Sequence, residues 1–171
     1  SDHPLASQAG ASILEQGGNA VDAAVATSFA LSVVRPFSCG IGGGGFMLIA
    51  SEEMKPVALN YREIAPQNTS PAMYLDHSSI LGPYAVGIPG TVAGLLDAHE
   101  RYGTLPREVV LAPAIKLARQ GFEPDDAFDR ALGSALSGSG DFTESIEMLF
   151  AHEELIKLYG QALVFEQIAA H

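Results

Sequence analysis

The residue best suited to bind a charged small molecule is Arg62, at the exit of an alternating segment, 57–61, that is typical of a strand. A guanidinium is permanently charged and can hold a carboxylate through two parallel hydrogen bonds. The alternative is a surface ion pair with Glu63 or Asp76, which is the commoner situation for an arginine. Spacing alone leaves both interpretations open.

The single cysteine, Cys39, precedes a glycine-rich run, 40–45. Its thiol would be reactive beside a base, but free cysteines are more often packed like small hydrophobic residues, and we expect Cys39 to be buried and inert. The glycine run leads into a strand, whereas phosphate-binding loops leave a strand, open a helix and are followed by lysine. We therefore predict a tight turn with close backbone packing rather than a phosphate site.

The histidines show no helical pairing and no clustering with carboxylates, so we predict no metal site in this chain. His99 adjoins Glu100 in a helical segment, and we expect it to be a partly exposed structural residue. The five histidines are His3, His77, His99, His152 and His171.

Composition excludes several classes of protein. The 171 residues are 47% hydrophobic and 17% charged, which favours one compact domain over 1–171 rather than a disordered tail. A formal net charge of -11 disfavours nucleic acid as a partner. One cysteine excludes an internal disulfide framework, and apolar runs are too short to predict a membrane span. The first residues lack the pattern of a secretory signal, which we expect to be absent from this sequence or already removed.

Two helices and a hairpin should open the chain. Apolar spacing over 5–14 predicts a first helix ended by the glycines that follow it. Asn19 can cap a second helix with Asp22 in its first turn. From 20 to 34 apolar residues lie on every face, so we expect this helix to be buried all round within a larger layered assembly.

After Arg35-Pro36 ends the second helix, the apolar run 46–50 predicts a buried strand. A polar turn over 51–55 should connect it to a second strand, 57–61, as a hairpin. Residues 63–88 have few periodic apolar positions and are predicted to be loop. The later predictions are a helix from Thr91 to Gly103, another from Pro106 to Gly121 kinked at Pro113, helical structure over 128–136, a flexible break over 137–140 and a weakly helical remainder. Together these elements indicate mixed α and β layers.

Six sequence blocks give the chain a family resemblance over roughly residues 2 to 126. The blocks are Gln16-Gly-Gly-Asn-Ala-Val-Asp-Ala-Ala24, Gly42-Gly-Gly-Gly-Phe-Met47, Arg62-Glu-Ile-Ala-Pro66, Gly87-Ile-Pro-Gly-Thr-Val-Ala-Gly94, Arg101-Tyr-Gly-Thr-Leu-Pro106 and Leu111-Ala-Pro-Ala-Ile-Lys-Leu-Ala118. In this order they resemble the large subunit of the γ-glutamyltranspeptidase family.

The resemblance implies an α+β N-terminal-nucleophile hydrolase, an αββα sandwich of which this chain supplies the large-subunit half. Family members arise from a precursor that cleaves itself before a threonine. The new N-terminal threonine, on the small subunit, is the nucleophile, and its α-amine can act as base. The resemblance also implies that Arg62 binds the α-carboxylate of a γ-glutamyl substrate such as glutathione, that no cofactor is needed, and that the location is periplasmic or extracellular, although a cytoplasmic one stays open.

Two departures from the family pattern leave alternatives open. None of the threonines has the Thr-Thr-His context that begins the family's small subunit, so we expect no catalytic residue in this chain and a partner subunit that carries the nucleophile. The resemblance also fades after Asp126 and the chain ends early. A related acylase cutting a cephalosporin or polyglutamate amide, or a non-catalytic remnant that serves as a binding or scaffold protein, are the alternatives. The threonines are Thr27, Thr69, Thr91, Thr104 and Thr143.

Overall fold

Side-chain caps set the bounds of the first two helices. The computed structural model describes residues 1–52, 54–138, 140, 143–150 and 155–171. Helix α1 (Pro4–Glu15) begins where His3 Nδ1 accepts the Leu5 N–H, and it ends before Gly17, whose φ of 90° favours glycine. Helix α2 (Ala20–Val34) starts with a capping box formed by Asn19 and Asp22. Both helices predicted in this region are therefore confirmed.

Helix α2 is largely covered by helices of the same chain. It packs against α1, α5 (Arg107–Gln120) and α8 (Tyr159–Ala170), and the Phe29 ring meets the Phe165 ring edge-on at 5.3 Å. Ala20 and Ala24, near its start, are the only exposed residues of α2. The expected burial is therefore reached mostly within the chain, and α2 does not itself require a second polypeptide for cover.

A single antiparallel hairpin forms the sheet of the described residues. Strand β1 (Phe46–Ser51) pairs with β2 (Met54–Asn60) in a register that places Phe46 opposite Asn60 and Leu48 opposite Ala58. The hairpin prediction is confirmed, although Glu53 of the predicted turn lies outside the described residues. The prediction of a buried strand is wrong for one face, because Phe46 is 68% exposed and Leu48 is 73% exposed.

The segment after the hairpin contains two short 3₁₀ turns that the sequence did not predict, each starting with proline. The helices predicted over the rest of the chain are confirmed; Pro113 lies inside α5, and the kink at Pro113 stays a prediction. The prediction of a break that starts at residue 137 is wrong for Ser137 and Gly138, which belong to α6, and Ser139 lies outside the described residues. The bounds are Pro71–Leu75 and Pro83–Ala85 for the 3₁₀ turns, Pro36–Cys39 for α3, Thr91–Tyr102 for α4, Asp126–Gly138 for α6 and Thr143–Phe150 for α7.

Contacts divide the chain into two compact units. One consists of Ser1–Gly40 and Ala98–His171, and it contains the helices around α2. The other, Ile41–Asp97, contains the hairpin, the loop with the 3₁₀ turns and the start of α4. That residues 1–171 fold as a single domain stays a prediction. The second unit also contains Arg62, which follows β2.

Candidate functional site

The glycine run before β1 packs closely against the backbone that carries Arg62. Gly45 and Tyr61 extend the hairpin by exchanging backbone hydrogen bonds of 3.3 and 3.0 Å. A Cβ on Gly44 would lie 2.8 Å from Arg62 Cα and 2.7 Å from Glu63 N, so no larger residue fits without displacing this backbone. The predicted tight packing is confirmed, and its effect is to fix Arg62 from one side.

The glycines at the start of α4 hold the same segment from another direction. A Cβ on Gly90 would lie 2.1 Å from Tyr61 O, and one on Gly94 would lie 2.1 Å from Tyr61 Cγ. Further along, Ile64 and Ile88 exchange backbone hydrogen bonds of 3.3 and 2.9 Å. The backbone over 61–64 is thus held between the glycine run, 40–45, and the 87–94 block, which are far apart in the sequence.

Arg62 opens onto a cleft of about 540 Å³ within the second unit. The cleft is formed where β2 ends, and its wall combines apolar side chains with backbone. Arg62 and Glu63 are the two charged residues that line it. The complete lining is Gly42, Arg62, Glu63, Ile64, Ala65, Pro66, Tyr74, Ala85, Val86 and Gly87.

The guanidinium of Arg62 is accessible and has an ion-pair partner. Its side chain is 58% exposed, and Nε lies 3.2 Å from Glu63 Oε2. The two groups are close enough for an ion pair but are not aligned for a hydrogen bond, since Oε2 is buried and accepts none from the described residues. Glu63 is one of the two partners named by the surface interpretation, and Asp76 is not paired with Arg62 in the described part of the chain. Carboxylate binding by Arg62 therefore stays a prediction.

A larger groove of about 710 Å³ lies in the first unit, between α1 and α5. Its wall is mainly apolar and amide side chains, with Glu108 and Lys116 as its charged residues. None of the residues singled out for ligand binding is in it. We therefore take the smaller cleft as the candidate site, because it is lined by Arg62, whose backbone is held by close packing.

The other sequence candidates lie elsewhere. Cys39, at the end of α3, is partly exposed rather than buried, and its recorded polar contact is the Ser38 hydroxyl at 3.5 Å. His99 is 8% exposed and its Nε2 lies 2.9 Å from Leu105 O, so the expectation of partial exposure is wrong. Among the described residues no group of histidine, cysteine and carboxylate side chains could hold a metal. His152 lies outside the described residues.

The sequence names Glu63 only as a possible ion-pair partner of Arg62, and it assigns no role at this site to Gly90 or Gly94. Gly90 precedes the predicted helix start at Thr91, and Gly94 lies within that helix as part of the 87–94 block. For Gly94 a weak signal is present, because glycine inside a helix costs stability and is often explained by a close neighbour. What the sequence could not identify was that neighbour, the backbone and ring of Tyr61.

Comparison with protein families gives one match over nearly the whole chain. The family model described as "Gamma-glutamyltranspeptidase" matches residues 6–171, and so continues beyond residue 126. The glutathione hydrolase proenzyme of Pseudomonas aeruginosa is 50% identical over 123 residues, covering 68% of this chain and 22% of that protein. The chain spans less than a quarter of the length of the curated relatives it matches first.

Solved structures agree with this match. The chain is similar to the gamma-glutamyltranspeptidase of Pseudomonas nitroreducens complexed with L-DON, with a TM-score of 0.93, 38% identity and coverage of 99% of this chain and 53% of that one. It is also similar to the cephalosporin acylase of Bacillus halodurans, with a TM-score of 0.88, 31% identity and coverage of 98% and 34%. The predicted fold class, α+β of the N-terminal-nucleophile hydrolase type, is confirmed. None of the described helices is long and apolar enough to cross a membrane.

Proposed function

This chain belongs to the gamma-glutamyltranspeptidase family, and we propose that it is the large-subunit part of an enzyme that hydrolyses or transfers γ-glutamyl groups. The substrate class is a γ-glutamyl amide such as glutathione. In the proposed reaction the hydroxyl of a threonine on the small subunit attacks the γ-carbonyl carbon, and the amine leaves with a proton. Water or an amino acid then takes the acyl group and frees the threonine.

The observation that carries this proposal is the position of Arg62 in the wall of the cleft. A γ-glutamyl group differs from a plain acyl chain by its free α-amino and α-carboxylate groups. A guanidinium carried by a clamped backbone can recognise that carboxylate, and less conformational entropy is lost on binding than from a mobile backbone. The family match includes the Arg62 block, which supports the same role.

A second subunit is part of the proposal, and the hairpin supports it. One face of β1 and β2 presents Phe46 and Leu48 to solvent, and the two strands pair only with each other among the described residues. An isolated two-stranded hairpin is marginally stable in water, and exposed apolar strands of this kind are usually covered by another sheet. A small subunit that contributes strands would provide that cover and the nucleophile together.

The division of labour is tested by assaying this chain alone and in complex with the small subunit, using a chromogenic γ-glutamyl anilide. The complex should turn the anilide over and the chain alone should not, because none of the threonines of this chain has the Thr-Thr-His context that begins the family's small subunit. Activity of the chain without any small subunit would contradict the proposal. An inactive complex with an intact N-terminal threonine would favour the non-catalytic alternative.

Arg62→Ala tests the carboxylate-binding role in the active complex. Removing one partner of a desolvated charge pair should lower kcat/KM by roughly 10²-fold to 10³-fold, at about tenfold for each 1.4 kcal/mol. Arg62→Lys should recover only part of this loss, because a point charge cannot reproduce the planar fork. Arg130→Ala, in an exposed position on α6, is the matched control and should change kcat/KM little.

The specificity of the effect is checked with a second substrate that lacks the α-carboxylate, for which Arg62→Ala should cost little. If Arg62→Ala changes kcat/KM for the γ-glutamyl anilide by less than about threefold, under 1 kcal/mol, Arg62 is a surface residue paired with Glu63.

The similarity to the cephalosporin acylase favours a second candidate, an acylase that acts on another side-chain amide. The two functions differ in what the cleft must bind. A γ-glutamyl enzyme needs Arg62 for turnover, whereas an acylase whose substrate has no α-carboxylate does not. Turnover of a cephalosporin amide that is unchanged by Arg62→Ala, with no turnover of the γ-glutamyl anilide, would replace the first function by the second.

A further inference from the structure

Glu63 combines two features that a simple surface ion pair lacks. Its Oε2 is inaccessible to solvent and accepts no hydrogen bond from the described residues, yet it lies 3.2 Å from Arg62 Nε. In an ordinary surface pair both charged groups stay hydrated and the pair contributes little. A buried carboxylate oxygen without a donor is costly, and it persists where the surrounding backbone fixes the side chain.

The backbone around Glu63 does fix it. Gly44 lies against Glu63 N, and Gly87 lies so close that an added Cβ would be 3.1 Å from Glu63 Cβ. The hydrogen bonds between Ile64 and Ile88 hold the next residue. The side chain of Glu63 therefore starts from a clamped backbone and is only 30% exposed, whereas Arg62 beside it is 58% exposed and would otherwise sample many rotamers.

Because Glu63 lies beside one edge of the Arg62 guanidinium, only the other edge is available to bind a ligand. A guanidinium can hold a carboxylate through Nε and one terminal nitrogen, or end-on through Nη1 and Nη2. Glu63 is beside Nε. The closest approach of Glu63 is to Nε, and no hydrogen bond within the described part of the chain is donated by Nη1 or Nη2, so the end-on edge stays available to a ligand in the cleft.

We propose that Glu63 is a positioning residue, which holds Arg62 by its Nε edge so that Nη1 and Nη2 receive the α-carboxylate of the substrate. This inference rests on the proposed function. Glu63 acts through Arg62 and need not touch the substrate. Its negative charge also opposes the binding of a carboxylate, so the restriction of Arg62 must outweigh that repulsion.

The test uses the active complex and the γ-glutamyl anilide, with Glu63→Gln as the principal variant. Glutamine has nearly the size of glutamate and keeps the packing against Gly87, but it loses the charge that holds Arg62. KM should rise about 3-fold to 10-fold while kcat changes less than about 2-fold, the pattern of lost substrate binding without lost chemistry. Glu52→Gln removes the same charge from the exposed hairpin turn and should change neither constant.

A double-mutant cycle separates positioning from a general structural role. In the Arg62→Ala background, Glu63→Gln should have no further effect on KM, because Glu63 then has nothing to position. For the substrate without an α-carboxylate, Glu63→Gln should be silent in either background. An effect of equal size on both substrates, or one that persists without Arg62, overturns the proposal, and so does a fall in KM, which would mean that Glu63 mainly repels the substrate.

These outcomes are distinct from failure of the proposed function. If Arg62→Ala is nearly silent, the carboxylate-binding role itself fails. If Arg62→Ala is severe and Glu63→Gln is silent, only the positioning role fails. Should Glu63→Gln not assemble, Glu63→Asp takes its place, since drawing the carboxylate back by one methylene should raise KM more than about 2-fold, and an unchanged KM would overturn the proposal.

Discussion

Buried charged side chains fix parts of the chain that are far apart in sequence. Asp22 is fully buried, and its carboxylate accepts hydrogen bonds from Asn19 N at 2.9 Å and from the Thr104 hydroxyl at 2.7 Å. Backbone N–H groups of Thr104 and Leu105 donate to it as well. Burial alone would raise the pKa of Asp22, but these hydrogen bonds together lower it. The ionised carboxylate therefore joins the start of α2 to the turn after α4.

A second buried charge, Arg35, forms a bidentate pair with Asp125, at 2.9 and 2.5 Å, and an ion pair with Asp2 at 3.3 Å. Asp125 also accepts the N–H groups of Ala127 and Phe128, so it caps α6 at the same time. Hydrogen bonding to Arg35 holds the pKa of Asp125 far below its ordinary value of 3.8. One carboxylate thus couples the end of α2 to the start of α6.

These residues predict that acid destabilises the chain in two stages. Burial lowers the pKa of His3 below its ordinary 6.5, and nearby Arg35 adds to this, while Asp125 and Asp2 oppose it. A lowered pKa in the fold contributes stability that is complete above 6.5 and is lost as the pH falls through the folded value. The same sign applies to Asp22 and Asp125 below 3.8. The free energy of unfolding measured with urea should therefore fall first below neutral pH and again in strong acid.

His3→Asn isolates the first stage, since asparagine keeps an acceptor for the α1 cap but does not titrate. Between about pH 7.5 and about pH 5 the urea midpoint of the variant should fall less than that of wild type. In stronger acid both proteins should lose stability together. Equal pH dependence of the two proteins across the upper range would show that His3 does not contribute to it.

At the scale of elements, helical glycines have opposite roles at two positions. Gly94 in α4 is buried, and a Cβ there would lie 2.1 Å from Tyr61 Cγ and 2.3 Å from Tyr61 Cβ, which cannot move without the strand end. Gly133 in α6 is exposed, with nothing within 4 Å of an added Cβ. Helix propensity favours alanine at both positions by about 1 kcal/mol, so packing decides the sign.

Gly133→Ala should stabilise the chain by about 0.5 to 1 kcal/mol, because it only removes flexibility from the unfolded state. Gly94→Ala should destabilise it by about 1 to 3 kcal/mol through overpacking, and in the active complex it should also raise KM by displacing Tyr61 and with it Arg62. Chemical denaturation of the two variants measures the difference. A stabilised Gly94→Ala would contradict the close packing at Tyr61.

Elements with local causes were predictable from the sequence, whereas contacts across long separations were not. The Asn19–Asp22 cap lies within four residues, so its signal is complete in the sequence. The alternation over 57–61 likewise predicts the hairpin and places Arg62 just beyond the second strand. His99 was misjudged because the carbonyl it contacts is presented only after the turn that follows α4. The close packing of the Glu63 backbone and Cβ involves Gly44 and Gly87, which are distant from it in the sequence on either side, so no local pattern reveals it.

At the scale of the whole molecule, the exposed apolar residues differ between the two units. Apolar runs predict that side chains will be covered, but they do not say by which chain. For α2 the cover comes from helices of the same chain, and for the outer face of the hairpin no described residue supplies it. We propose the outer face of the hairpin as the surface that the small subunit covers, because a helix already packed on several sides gains little from another layer.

The hairpin face therefore gives the last prediction, that Leu48→Lys should prevent assembly with the small subunit without unfolding this chain. Leu48 is 73% exposed, so lysine there should change the stability of the isolated chain by less than about 0.5 kcal/mol, as for other surface substitutions. Buried between two sheets, the same charge would lack a partner and would cost several kcal/mol. Leu14→Lys is the control, since Leu14 is 52% exposed at the end of α1, in the other unit. Co-purification of the two subunits, with light scattering of the isolated chain, measures both effects. A Leu48→Lys chain that binds the small subunit as tightly as wild type would move the interface elsewhere, and one that unfolds alone would show that this face is covered within the chain.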